Sequence, residues 1–473
     1  MNTITVMDPV TRIEGHMKVE IAIDSVGGQQ QIVDAHCTGT LFRGFETLLN
    51  GRSPLDAPLV TQRICGVCPI SHGQTAVQAL ENVSEWLPNT NGRLLRNLTL
   101  GANFLQSHIL HFYLLAALDF VSGPAASPWT QAWQTDMRSG LDEVTANLPA
   151  AITARRQSHE MGAVFGGKMP SSNTFVPGGF TMTPTNQAID TYRQRLLELQ
   201  NFIDNIYLPD VELVGTIYSD YYQIGAGCNN LFAFGAFEMD DANSTRLFSG
   251  GRIEDGSTEV NSINTNNISE SVKYSWYSNT TSNLSPASGE TTPEYPKGDA
   301  YSWIKAPRMN NKPFEAGPLA RMWVNGDYQR GISVMDRHQA RALEAKKIAA
   351  AMHGWLDGLR PGEKAFDNSY NQHSGTGIAL SEAPRGALGH WVKISGDRIS
   401  NYQVITPTCW NASPRDDNDV PGPMEQALIG TPIENPDQPI EALRVIHAYD
   451  PCLSCAVHIM RPDSSPVIVH TGK

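Results

Sequence analysis

Apolar and polar positions alternate along the first fifty residues, which predicts strands. Val19-Glu20-Ile21-Ala22-Ile23 and Gln31-Ile32-Val33-Asp34 read as a short sheet with a Gly27-Gly28 turn between them. From about Gly73 the pattern becomes helical. Thr99 to Val121 has few breakers and many aliphatic residues, predicting a helix buried on most sides. Ile189, Tyr192, Leu196, Leu199, Ile203 and Ile206 form a helical stripe over 187–207. Met335 to Asp357 is alanine-rich and predicts a third long helix, closed by Gly358-Leu359-Arg360-Pro361. Between about 240 and 300 the composition shifts to Asn, Ser, Thr and Gly, which reads as a polar surface insertion with strands. The last third is rich in Pro and Gly, has few long periodic segments, and no repeat is evident. The expected fold is α+β and predominantly helical, a long central helix bundle with small peripheral sheets.

Composition narrows the function. A chain of 473 residues with 40% hydrophobic content can bury a large core. Its net charge of −13 argues against nucleic-acid binding and against an anionic-membrane patch. No run approaches the roughly 20 apolar residues of a membrane helix. The first residues, MNTITVMDPVTRIEGH, lack the features of a secretory signal. The expectation is a chain that stays in the cytoplasm or leaves it attached to a partner carrying the signal. Seven cysteines are odd in number and sparse, a poor disulfide framework. Cys37, Cys228 and Cys409 stand alone and read as buried small apolar residues.

The other four cysteines carry the chemistry. Cys65-Gly66-Val67-Cys68 leads to His72, and Cys452-Leu453-Ser454-Cys455, nearly four hundred residues on, leads to His458. Four thiolates in two such pairs suit zinc, nickel or an iron–sulfur cluster. A four-sulfur zinc site is the plainest reading of two bare pairs. It loses ground because zinc ribbons are compact, local devices, whereas these pairs sit at the two extremes of the chain.

The stretches Arg63-Ile64-Cys65-Gly66-Val67-Cys68-Pro69-Ile70-Ser71-His72 and Asp450-Pro451-Cys452-Leu453-Ser454-Cys455-Ala456-Val457-His458 resemble the two metal-binding signatures of nickel–iron hydrogenase large subunits. Arg12-Ile13-Glu14-Gly15-His16, Leu41-Phe42-Arg43-Gly44-Phe45-Glu46 and Glu382-Ala383-Pro384-Arg385-Gly386 match in the same order. The resemblance implies that all four sulfurs bind nickel, and that Cys68 and Cys455 also bridge to an iron carrying carbon monoxide and cyanide. It implies that Arg385 hangs over the metals, held by Asp119 and Asp450, and that Pro384 shapes the iron-ligand pocket. Cys452 matches the proton-accepting cysteine and Glu14 the carboxylate that relays the proton onward. His72, one helical turn after Cys68, is expected to donate its ring N–H to that sulfur. Glu46, His458 and the carbonyl of Ala412 match a magnesium site, where the ion keeps several waters.

The same resemblance implies one catalytic domain over 1–458, with 459–473 an extension removed by a maturation endopeptidase. No cysteines remain for an iron–sulfur cluster, so the expected partner is an iron–sulfur small subunit in an obligate heterodimer or higher oligomer. That subunit would feed a downstream electron carrier, and with it the enzyme would be exported to the periplasmic face of the membrane. The implied activity is reversible heterolytic cleavage of hydrogen, in the uptake direction. Ser171 and Ala116 stand where many members carry histidines. Rival readings are a hydrogen sensor with the same metals, a zinc-stabilised scaffold of a redox complex, or a quinone-reductase relative, though the last type lacks the cysteine pairs.

Overall fold

Strands β1 (Thr3–Met7), β2 (Met17–Val26) and β3 (Gln29–Gly39) form an antiparallel sheet in that order. The computed structural model describes residues 3–121, 133–367 and 374–453. Gly27 and Gly28 make the β2–β3 turn, both at positive φ, where glycine meets no Cβ clash. Val19, Ile21 and Ile23 are buried in alternation with half-exposed neighbours, as the period predicted. β1 was not legible: it pairs with the outer side of β2 and leaves Ile4 and Val6 exposed, so its apolar residues mark no core face.

Helix α1 (Phe45–Leu49) follows the sheet, and α2 (Pro69–Val83) starts with Cys68 as its cap residue and Pro69 in its first turn. A proline there loses no hydrogen bond, because the first N–H groups of a helix have no internal acceptor. Helix α3 (Thr90–Leu110) begins nine residues before the expected start. The Asn89 side chain caps it by accepting from Gly92 N at 2.9 Å. α3 is buried almost throughout, including Asn97, Asn103, Gln106, Ser107 and His108. It runs on as a π-helical stretch, His111–Ala116, and a 3-10 turn ending at Asp119.

Helix α4 (Leu148–Gly166) and α5 (Asn186–Phe202) pack on one another, and α3 packs against α4. The α5 stripe is buried at Ile189, Tyr192, Leu196 and Leu199 as expected. Short helix α6 (Pro318–Val324) precedes α7 (Val334–Asp357), whose start Ser333 caps by accepting from Asp336 N at 3.1 Å. α7 packs on α3, α5 and α6, completing a mainly helical α+β body. Residues 240–300 contain short paired strands, and Ile268, Val272, Ser275 and Tyr277 there are buried. Their polar residues are used internally: Asp417 accepts from Ser271, Ser282 and Asn283.

The last third departs most from the expectation. It holds an antiparallel meander, β4 (Gly375–Ala383), β5 (Gly386–Ser395) and β6 (Arg398–Ile405), followed by α8 (Pro407–Asn411) and α9 (Ile440–Ala448). β5 is buried on both faces from Gly386 to Val392, so no alternation betrays it. On the neighbouring strand β4, Gly377 is a packing requirement. A Cβ on Gly377 would lie 1.9 Å from the carbonyl oxygen of Ala79 on α2, which crosses the sheet there.

This close approach generates a prediction. Gly377→Ala is expected to cost about 3 kcal/mol or more, because backbone must move to admit the methyl group. Gly396→Ala, at positive φ with open space around it, is expected to cost about 1–2 kcal/mol. Thermal unfolding of both variants beside the unaltered chain measures the difference, and equal losses would remove the helix–sheet contact as its cause.

Candidate metal centre

The first cysteine pair sits in the loop entering α2, and that loop is held by backbone carbonyls. Arg43 donates to the carbonyls of Ile64 at 2.7 Å and Arg63 at 2.8 Å. Asn103 and Gln106, neighbours on one face of α3, both donate to the carbonyl of Val67 at 2.8 Å. The backbone N–H groups of Val67 and Cys68 point at Cys65 Sγ, each at 3.3 Å. Donors so placed suit a charged sulfur, the form that binds metals.

Cys452, the first cysteine of the second pair, reaches the same place from the other end of the chain. Residues Glu14 and Cys452 form a parallel bridge, and Leu453 N donates to Glu14 O at 2.6 Å. Cys452 N donates to Thr408 Oγ1 of α8 at 2.9 Å. Cys65 and Cys452 thereby bring their sulfurs to 3.3 Å, and the sulfurs of Cys65, Cys68 and Cys452 all lie within 4.8 Å of one another, fully buried. Three converging soft donors shielded from water fit a thiophilic metal such as nickel. Cys455 and His458 lie outside the described residues, as does 459–473.

Arg385 faces this cluster. It and Pro384 form the two-residue tip of the β4–β5 hairpin, where Ala383 pairs with Gly386. Arg385 Nε donates to the carbonyl of Asp450 at 3.0 Å, and Nη2 lies 3.0 Å from Asp450 Oδ1. Burial opposes its charge, but Asp450 and the sulfurs of Cys452, Cys68 and Cys65 keep the guanidinium protonated, above its ordinary range. Asp450 itself takes a left-handed φ of 54°, uncommon for a residue with a side chain.

Asp119, which the resemblance places beside Arg385, meets other groups in this structure. Among the described residues no hydrogen bond or ion pair joins it to Arg385. Its carboxylate accepts from Arg12 and from His447 Nδ1 at 2.5 Å, and Arg444 donates twice to its carbonyl, at 3.0 and 2.8 Å. Burial works against its ionisation, but His447 and Arg12 bring the carboxyl down to about 2. His447 Nε2 lies 2.9 Å from the carbonyl of Thr11. Asp119 therefore ties α9 to the N-terminal motif.

His72 also has another partner than the one expected. Its Nδ1 lies 3.2 Å from His390 Nε2, and His390 Nδ1 lies 2.8 Å from Tyr402 Oη. His72 Nε2 is buried and makes no hydrogen bond among the described residues. Burial lowers the His72 pKa to about 4, against the pull of the Cys65 sulfur, so the ring is neutral near pH 7.

Glu14 is half-buried beside Cys452 through the backbone bridge. Glu46 is buried in α1 and accepts from Val404 N at 2.9 Å and from Thr291 Oγ1. Four lone-pair sites on a carboxylate leave capacity for a cation besides these two neutral donors. Ala412, fully buried, follows α8. These residues are compatible with a hard ion, but among the described residues the cysteines alone form a group of three converging ligand atoms from His, Cys, Asp or Glu.

Asn103, Gln106, His390, Tyr402, His447 and Arg444 went unrecognised in the sequence, and Arg43 was seen only as part of a motif. One signal was present: Asn103 and Gln106 or Ser107 stand three and four residues apart in a stretch whose pattern predicts burial on most sides. A polar stripe with no exposed face implies buried partners.

Comparisons with known proteins bear on this geometry. A family described as nickel-dependent hydrogenase matches residues 43–147 and 143–458, and one described as HoxL-like matches 3–36. The chain is 39% identical to the periplasmic [NiFeSe] hydrogenase large subunit of Desulfomicrobium baculatum, covering 97% of this chain and 95% of that one. It is 34% identical to the uptake hydrogenase large subunit of Bradyrhizobium diazoefficiens, with the same coverage. The solved structure of the reduced Ni-Fe-Se hydrogenase from D. vulgaris Hildenborough superposes with a TM-score of 0.92 at 39% identity, over 97% of this chain and 100% of that one.

The Asp119 cluster generates a prediction with a defined pH window. A carboxyl held at about 2 stabilises the fold fully above its ordinary pKa, about 4, and loses that contribution as pH falls through about 2. Asp119→Asn is expected to cost about 3 kcal/mol near neutrality, because Arg12 and His447 lose their charged acceptor. Unfolding followed from pH 7 down to pH 2 should show the gap between the two proteins constant above about pH 4 and closing below it. A gap that does not change over that range would sink the assignment.

Proposed function

The chain belongs to the nickel-dependent hydrogenases as a catalytic large subunit, and from that premise we propose that it works physiologically in the uptake direction, oxidising hydrogen. The observation that carries the site assignment is the convergence of three buried sulfurs from the two ends of the chain under the Arg385 guanidinium. In this proposal Cys65, Cys68, Cys452 and Cys455 would hold the nickel, and Cys68 and Cys455 would also serve as ligands to an iron carrying carbon monoxide and cyanide. Pro384 lines the pocket for those ligands. When bound, the nickel–iron centre supplies the Lewis acidity and the two-electron redox capacity that hydrogen cleavage needs.

The chain's own groups do the rest. Arg385, kept charged by Asp450, presents donors to negative charge that develops as the hydrogen molecule is split, the kind of stabilisation that preorganised donors provide. Cys452 Sγ takes up the proton released, and the Glu14 carboxylate receives it next. The bridge that aligns residue 14 with residue 452 supports that pairing. Glu46, the carbonyl of Ala412 and His458 would hold magnesium, a hard ion that suits oxygen ligands. His72 and Asp119 contribute through the loops they hold. The two electrons leave through an iron–sulfur small subunit to a downstream carrier.

Leu48, Leu55 and Leu59, exposed in the segment just before the first cysteine pair, support a partner surface there. None of the described helices is long and apolar enough to cross a membrane. Periplasmic placement would then follow from export with the small subunit, after a maturation endopeptidase has cut behind His458.

Three measurements test the reading. The complex purified with its partner is expected to hold one nickel per large subunit and iron beyond its clusters, and zinc in place of nickel would overturn the proposal. Arg385→Lys should keep the metals and lower hydrogen oxidation about 100-fold or more. Assays run in both directions decide whether uptake dominates.

A further inference from the structure

We propose that Arg321 is a positioning residue for Arg385, acting through the backbone of the hairpin tip at Ala383-Pro384. The inference rests on the reading of Arg385 as the charged group facing the metals. Arg321 is fully buried on α6 and touches none of the cysteines in the described contacts. Its guanidinium has five N–H donors in a fixed plane, and all five are used. Nε donates to Glu344 Oε1 at 2.5 Å. Nη1 donates to Glu382 Oε2 at 2.6 Å and to the carbonyl of Ala383 at 3.1 Å. Nη2 donates to Glu344 Oε2 at 2.8 Å and to the carbonyl of Pro384 at 2.8 Å.

Two of these acceptors are the carbonyls of the residues just before Arg385. A two-residue hairpin tip is normally exposed and pliant, but this one is buried and fixed from two sides. On the first side, Glu344 lies on α7 and its Oε2 also meets His108 Nε2 of α3 at 2.8 Å. The path runs from the two longest helices through Glu344 and Arg321 to the tip. On the second side, Gly386 has φ of 135°, and a Cβ there would lie 2.7 Å from Ala316 C and Gly317 N, so the tip rests on backbone. Arg385 projects from this seat to Asp450, with Ser107 Oγ 3.5 Å from its Nη1. An ion pair serving stability alone needs two of the five donors. The other contacts set where the peptide groups before Arg385 lie. A lysine at 321 brings three donors on a flexible stem and cannot meet five coplanar acceptors.

The experiment is a double-mutant cycle on the purified complex with its partner, using Arg321→Lys, Arg385→Lys and the pair. Turnover, nickel and iron content, and melting temperature are read for each. Arg321→Lys is expected to keep the metals and lower turnover about 10- to 100-fold, since small misplacements of a reactive group cost that much. In the Arg385→Lys background it should lower turnover less than about 2-fold further, because the group it positions is already gone. A crystal structure of the Arg321→Lys complex should show Arg385 drawn away from Asp450. Equal losses in both backgrounds, or an unmoved Arg385, would overturn the inference while leaving the function of Arg385 intact. Unchanged turnover in Arg385→Lys alone would instead overturn the functional reading, and the inference with it. If Arg321→Lys does not fold, Glu344→Gln, which releases the far end of the guanidinium, enters the same cycle with the same expectations.

Discussion

The centre exists only if sulfurs 387 positions apart, on Cys65 and Cys452, are brought to 3.3 Å. Closing a loop of that length costs about 5 kcal/mol in chain entropy alone, before any metal contributes. The fold offsets this with contacts that join the two chain ends directly. The Glu14–Cys452 bridge, the Asp119–His447 pair and the Arg444 bonds to Asp119 O each link one end to α3 or to the other end. Each also leaves the reactive atoms alone. The chain is closed beside the sulfurs, not through them, so the cysteines converge without having to hold the protein together themselves.

Burying charge is the means by which this is done. Arg321, Arg385 and Arg444 are essentially inaccessible to water, and an unpaired charge in such a place costs several kcal/mol. None is left as a bare ion pair. Arg444 spreads its donors over two backbone carbonyls, Tyr221 and Asp136, and Arg385 reaches both the backbone and the carboxylate of Asp450. Guanidinium groups suit the task because a planar fork fixes several acceptors at once. In this molecule the buried arginines therefore act on backbone position as much as on charge.

How much of this was legible follows from what each interaction leaves in the sequence. The convergence of Cys65, Cys68 and Cys452 was legible because each sits in a local motif with ligand spacing. Helices α5 and α7 were legible as well, one by its stripe and the other by its alanines and its glycine–proline close. The β4–β6 meander was not, since a strand buried on both faces shows no alternation. Asp119 was found, but its partners were not. Arg12 and His447 meet it across sequence separations of 107 and 328 residues, and nothing in the local pattern of either marks the pairing. His72 was read from its distance to Cys68, whereas its ring meets His390 on β5, an element the pattern did not reveal.

The failures share a physical cause. Where local propensity and tertiary need agree, pattern reading works; where they conflict, a side chain or a backbone angle is doing something the core alone would not select. Helix α3 carries buried Asn103, Gln106 and His108 at positions an ordinary core helix would fill with leucine. It then loosens into a π-helical stretch before Asp119, a geometry frequent at functional sites. Arg12, which meets Asp119, and Asp450, which meets Arg385, adopt left-handed backbone angles of 56° and 54°. Of these residues, Asn103 and Gln106 hold the carbonyl of Val67 between two of the sulfurs, and Asp450 holds the guanidinium that faces them. The regions where the sequence is hardest to read as a fold are thus the regions where it is easiest to read as a site, because a stable core by itself would have eliminated every one of those residues.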